Sequence, residues 1–204
     1  MTSFITDLLR ANTPHRQPQP TLAPCQDAVG GDLPGFLESS GLVSRHSAVE
    51  RSVLLRPGDW LFGRGNLRVS AMLGASLALV MWVPRYRLGA VCCIAHPVRP
   101  AGVYGLEGPC GLYGEDAVRW LDERLQRTAC DWSDVALSLI GGAHQQGGCA
   151  GQRNVSWVQA WSATQHLVPA FQDVGGSVLR KLNFNLTDGS VTVTHGGSLG
   201  SVDV

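Results

Sequence analysis

Apolar residues cluster in the middle of the chain. Leu77 to Val83 is nearly continuous in apolar side chains. It reads as a strand buried on both faces or as the start of a buried helix. Leu88 to Ala95 is a similar stretch, closed by Pro97, and Leu67 to Leu73 is a strand candidate ahead of both. Val53 to Leu55 and Trp60 to Phe62 read as short strands around the turn Arg56-Pro57-Gly58-Asp59.

Helical spacing begins further on. Over Glu115 to Arg127 the apolar stripe is Ala117, Val118, Leu121 and Leu125, while Arg119, Asp122, Glu123 and Arg124 occupy the polar side. Val135 to Ile140 reads as a strand ending at Gly141-Gly142, and His144 to Gly151 as a glycine-rich loop. Asn154 is a plausible N-cap for a second helix carrying Val155, Val158, Ala160 and Trp161 on one side. Trp157 and Trp161, four apart, read as a core stripe. Arg180 to Leu186 and Ser190 to Thr194 alternate around Thr187-Asp188-Gly189, a hairpin signal. These elements predict a single α/β domain of mixed sheet and flanking helices, without a regular βαβ repeat.

The ends differ in texture. Residues 1–50 hold Pro14, Pro18, Pro20 and Pro24, then Gly30, Gly31 and Pro34, and are expected to form an extension that is mobile or docks a partner. Phe4 to Leu9 could make a short helix within it. The domain is expected over 51–195, with a frayed polar tail over 196–204. Pro97 to Cys110 reads as a loop.

Composition narrows the function classes. The chain has 204 residues, 44% hydrophobic and 16% charged, with sixteen basic residues balancing sixteen acidic ones. That balance gives no reason to expect nucleic acid. No apolar run reaches the ~18 residues of a membrane span, and Met1 to Arg16 lacks the basic start and apolar core of a secretion signal, so membrane insertion is not expected and a cytoplasmic location is. None of the six cysteines stands in a C-x-x-C pair, so no metal site is expected. No Gly-Lys-Ser/Thr follows the glycines, and no cofactor is expected.

Four segments carry a resemblance. They are Pro57-Gly58-Asp59; Leu73-Gly74-Ala75-Ser76-Leu77; Gly89-Ala90-Val91-Cys92-Cys93; and a downstream set. That set runs from Gly111-Leu112-Tyr113 through Gly141-Gly142-Ala143, Gly151-Gln152-Arg153-Asn154, Asp173-Val174-Gly175-Gly176 and Arg180-Lys181 to the hairpin at Gly189. In order and spacing they resemble the CheD family, the chemoreceptor glutamine deamidases. The resemblance implies an α/β sandwich in which the nucleophile loop ends in a helix N-terminus. It also implies hydrolysis of receptor glutamine side chains, and partners that include methyl-accepting chemoreceptors and a CheC-like phosphatase.

The family pairs a cysteine nucleophile with a histidine base, oriented by a threonine. Carried over without gaps, these positions are Ser76, Cys93 and Ser70, while Met72 and Ala75 stand where the family has Gly and Ser. A serine hydroxyl is hardly ionised at neutral pH without a base beside it. A thiol is a poor acid for departing ammonia. The expected outcome is a chain with lost or weak deamidation that acts by binding a receptor or a CheC-like partner. Two alternatives stand beside it. One is an active amidohydrolase using Ser76 or Cys93 with a non-standard base; strand alternation puts His96 on the face opposite Cys93, and His144 reads as a solvated loop residue. The other is a redox-responsive module sensing through Cys93, which needs a low thiol pKa.

Overall fold

A computed structural model describes residues 35–40, 42–45, 51–101, 111–144 and 148–198. Eleven strands, two α-helices and two single-turn 3₁₀ helices are present among them. In chain order they are β1 (Phe36–Ser39), β2 (Leu42–Arg45), β3 (Arg51–Leu55), β4 (Trp60–Arg64), β5 (Arg68–Leu73), β6 (Leu77–Val83) and β7 (Leu88–Ile94). Helix α1 (Gly114–Arg127), β8 (Ala136–Gly141), α2 (Ala150–Thr164), β9 (Phe171–Val174), β10 (Val178–Asn185) and β11 (Val191–Ser198) follow.

The strands form two sheets. The larger has the order β1-β4-β7-β6-β8-β9 and the smaller β11-β10-β5-β3-β2. All pairings are antiparallel except β8 with β9 and β3 with β5. Two cores define three layers. One lies between α1, α2 and one face of the larger sheet, and holds Leu77, Leu79, Met81, Cys92, Ile94, Leu121, Val158 and Trp161. The other lies between the sheets and holds Val69, Ala71, Leu73, Ala78, Val80, Cys93, Ile140, Leu182 and Phe184. Strands β6 and β7 serve both cores, which is why every residue in them is buried and why their sequences lack polar alternation. A side chain's parity along β7 decides its layer: Cys92 joins the helix side and Cys93 the inter-sheet side.

Helix α1 follows its predicted stripe, with Trp120 buried alongside Ala117, Leu121 and Leu125. Glu115 and Asp116 in its first turn and Arg124 and Arg127 in its last suit the helix dipole. The β10–β11 hairpin also forms as expected, around Gly189 at φ +76.

Several expectations fail. Asn154 is not an N-cap: α2 starts at Ala150, and Asn154 is fully buried inside it. The Ser76 loop does not end in a helix; it opens into β6, because Leu77–Val83 is apolar on both faces and has a sheet neighbour on each side. The sheets begin at Phe36, well ahead of residue 51, since β1 zips onto β4. Strand β11 carries His195 through to Ser198. The helix suggested at Phe4 to Leu9 and residues 102–110 of the expected loop lie outside the described residues.

The junction of β8 and α2 has little room. A Cβ on Gly151 would meet the carbonyl oxygens of Ala143 and, at 2.5 Å, Gly142. Alanine would favour the helix by up to ~1 kcal/mol, but fixed backbone carbonyls cannot step aside. Gly151→Ala is therefore expected to destabilise the fold by about 1–3 kcal/mol, read as a lower urea midpoint at unchanged slope.

Candidate active site

Ser76 sits in the bend that joins β5 to β6 and is 7% exposed. Several segments fix that bend. The N–H of Gly142 donates to Ser76 O at 2.8 Å, and that of Ala143 to Gly74 O at 2.8 Å. Gly141 and Gly142, at φ +109 and +67, make the sharp exit from β8 that points these donors back at the bend. From α2, Asn154 Nδ2 donates to Ala75 O at 2.9 Å and to Ala95 O at 3.0 Å. One side chain thus ties the Ser76 bend to the end of β7. The sequence signal for this was present in Gly151-Gln152-Arg153-Asn154, but composition alone reads an Asn near a helix start as a cap.

Cys93 lies on β7, opposite Ala78 of β6. Its own backbone is held by Gly58 and Asp59: Gly58 N–H donates to Cys93 O at 2.7 Å and Cys93 N–H to Asp59 O at 2.9 Å. The thiol has no solvent exposure. Burial, reinforced by the nearby Asp59 charge, pushes it up to about 12. Burial, followed by the charge of Cys93, likewise raises Cys92 well above the ordinary thiol value. Burial thus favours the neutral thiol at both positions, opposite in direction to the lowered pKa that a Cys93 redox sensor or nucleophile needs.

Ser70 is on β5, half-buried, between Val69 and Ala71. Those two face the inter-sheet core that contains Cys93, so alternation turns Ser70 to the opposite face of the smaller sheet. The structure does not bring Ser70 to Cys93. Met72 shares that outer face, 53% exposed, so it does not crowd the Ser76 bend as a Gly replacement might suggest.

The histidines stand apart. His96 is exposed just beyond β7, with its ring 5.8 Å from that of Tyr113. Both Ala95 and His96 donate backbone N–H groups to Leu112 O, a local irregularity that ends the strand. His144 is exposed and donates its backbone N–H to Gly176 O. Among the described residues no imidazole hydrogen-bonds the Ser76 hydroxyl or the Cys93 thiol. No group of three potential metal ligands is found among them either.

A family model described as "CheD chemotactic sensory transduction" matches residues 104–195. A probable chemoreceptor glutamine deamidase of Dechloromonas aromatica is 30% identical over 147 residues, covering 68% of this chain and 84% of the relative. One of Maridesulfovibrio salexigens is 32% identical over 156 residues, covering 70% and 91%. One of Leptospira interrogans is 24% identical over 153 residues, covering 69% and 90%. The chain belongs to the CheD family. A continuous match over 68% of the chain necessarily takes in the Ser76 bend and the β7 end, and the downstream motifs lie within the family-model match at 104–195.

Of those CheD motifs, Asp173-Val174-Gly175-Gly176 and Arg180 meet in space. Asp173, on the edge strand β9, accepts from Arg180 Nε at 2.8 Å and lies 2.8 Å from His195 Nε2. This links the edge of the larger sheet to β10 and β11 of the smaller one. Burial pushes the Asp173 carboxyl up, but hydrogen bonds from Arg180 and His195 and their charges outweigh it and hold it below the usual carboxylate value. A depressed folded pKa contributes stability above the unfolded value of about 3.9 and loses it as pH falls through the lower folded value. Wild type should accordingly exceed Asp173→Asn in urea midpoint at pH 7. The gap should close as pH drops below about 4. A gap that persists unchanged at the lowest pH would refute the assignment.

Proposed function

We propose that this CheD-family protein works in chemotaxis as a receptor-binding or CheC-binding protein whose own glutamine deamidation is lost or very weak. The observation that carries the reading is the isolation of the Ser76 hydroxyl. The resemblance puts the nucleophile at Ser76 and the base at Cys93. No described imidazole serves the hydroxyl, and the Cys93 thiol is fully buried, which disfavours its ionised form. An unassisted serine is a weak nucleophile, and loss of acid–base catalysis alone costs about 10²- to 10⁴-fold. Ser70, on the far face of the smaller sheet, supplies no orienting group. The reading places the protein's action in the cytoplasm; among the described residues no helix is long and apolar enough to cross a membrane.

The test is a time course of chemoreceptor-fragment mass with a competent CheD relative as control, since each deamidation adds about one dalton. The reading expects fragment binding without mass gain. The alternative is an active amidohydrolase using Ser76 or Cys93 with a non-standard base. It would be established by mass gain in the wild type that disappears in Ser76→Ala or in Cys93→Ala. A parallel binding assay with a CheC-like phosphatase separates the two partner classes.

A further inference from the structure

Among the described residues the larger sheet ends in β1 and β9, and the smaller in β11 and β2. A sheet edge presents a row of unpaired N–H and C=O groups, and short length and charge are the usual protections against another strand adding to it. Three of these edges have both: each is four residues long, and they carry Glu38, Arg45 and Asp173. Strand β11 has neither. It runs for eight residues as Val-Thr-Val-Thr-His-Gly-Gly-Ser, with no acidic residue, lysine, arginine or proline. The irregularity in its pairing with β10 lies past His195, so Val191 to His195 is regular.

The ladder fixes which backbone groups point outward. Asn185 N–H donates to Ser190 O at 2.9 Å, and Leu186 N–H to Leu67 O at 2.9 Å. Odd-numbered residues of β10 therefore bond β11, and even-numbered ones bond β5, as antiparallel alternation requires. Asn183 stands opposite Thr192 and Lys181 opposite Thr194, so these two threonines direct their N–H and C=O groups at β10. Those of Val191, Val193 and His195 point away from the sheet. The side chains sort by face: Thr192 and Thr194 are exposed, while Val191 and Val193 pack on the inter-sheet core.

We infer that β11 is a dimerisation strand, pairing antiparallel with β11 of a second copy of this chain about a twofold axis at Val193, the middle of the regular segment. A second copy fits because the strand complements itself in that register. Val193 meets its own counterpart, and Val191 meets the counterpart of His195, so the outward backbone groups fall in hydrogen-bonded pairs. Thr192 lies opposite the counterpart of Thr194 on the exposed face, a favourable cross-strand pair. No like charges meet, since His195 faces an aliphatic residue. The contact is isologous, so it closes at a dimer and uses up both β11 edges. It does not depend on whether Ser76 is catalytic.

Sedimentation equilibrium of the wild-type chain should show a mass rising from 21.8 kDa to twice that value, with a midpoint at or below about 100 µM. Amide exchange at Val193 and His195 should slow as protein concentration rises, while exchange at Thr192 and Thr194 stays constant. Thr192→Glu with Thr194→Glu sets glutamate against glutamate across the axis and should raise Kd about tenfold or more. Thr192→Lys with Thr194→Glu sets opposite charges together and should return Kd to within about threefold of wild type. Both positions are exposed, and Lys181, opposite residue 194, is common to the two variants. Val193→Pro removes an outward N–H that the single chain leaves unbonded, a place where an edge strand tolerates proline, and should give a folded monomer. Should the proline variant not fold, the charge variants decide alone. A wild-type chain that stays at 21.8 kDa up to about 1 mM overturns the inference. So does a dimer indifferent to the glutamate pair, or one that the lysine–glutamate pair fails to restore.

Discussion

Ser76→Cys combined with Cys93→His is expected to bring deamidation of receptor fragments to at least about 10² times that of either single variant. The singles fail for different reasons. Ser76→Cys supplies a thiol with no base to deprotonate it or to protonate ammonia. Cys93→His supplies a base whose only partner is a hydroxyl. The surroundings favour the pair in one respect. Asp59, whose charge already raises the Cys93 thiol, would favour an imidazolium at the same position. They oppose it in another. Position 93 has no exposure, and forcing a larger ring into a closed core costs about 1–3 kcal/mol. Met72 is no obstacle, since it stands on the outer face of the smaller sheet. Intact-mass time courses beside thermal melts decide the matter. A double variant that is folded and binds the fragment, yet leaves its mass unchanged, would show that more than these two positions has been lost.

Arg180→Ala is expected to destabilise the fold by about 3 kcal/mol. Arg180 is 4% exposed and points inward beside Leu182 and Phe184. Its removal leaves the Asp173 carboxylate at the sheet edge with His195 as its one remaining ion-pair partner among the described residues, and His195 is itself exposed. The size of the effect comes from the uncompensated charge as much as from the lost contact. Replacing both members, as Arg180→Leu with Asp173→Leu, should therefore recover most of the loss. Urea midpoints of the single and double variants form a thermodynamic cycle. Additive losses would refute the coupling.

The strand pattern was legible where burial is simple. Leu77–Val83 and Leu88–Ile94 are apolar throughout because each is buried on both faces, and the hairpin at Gly189 announces itself through its turn residues. The helix at Gly114–Arg127 was equally clear from its spacing. The stacking of two sheets was not, since alternation tells which residues share a face but not what covers it. Strands β1 and β2 were hidden because each is four residues long and set among prolines and glycines, where composition argues against a core. At the site, gapless register was enough to single out Ser76 and Cys93 as candidates, whereas the face of Ser70 required knowing how β5 lies in its sheet. Asn154 was misread because a buried carboxamide that bridges two carbonyls has the same one-letter signature as a cap. Arg180 likewise reads as one polar residue in an alternating strand until the edge strand carrying Asp173 is seen beside it.

The adjacent pair Cys92 and Cys93 also gives the fold an internal clock. Each faces a different core, and neither touches solvent, whereas Cys149 at the start of α2 is exposed. A thiol-modifying reagent in excess should label Cys149 at once. It can reach the central pair only when β7 separates from its neighbours. Because β6 and β7 are shared by both cores, that separation is a loss of the whole sandwich and not a local breath. The slow phase of labelling at residues 92 and 93 therefore times global opening, and simultaneous labelling of the two would show that the helix layer and the second sheet let go together.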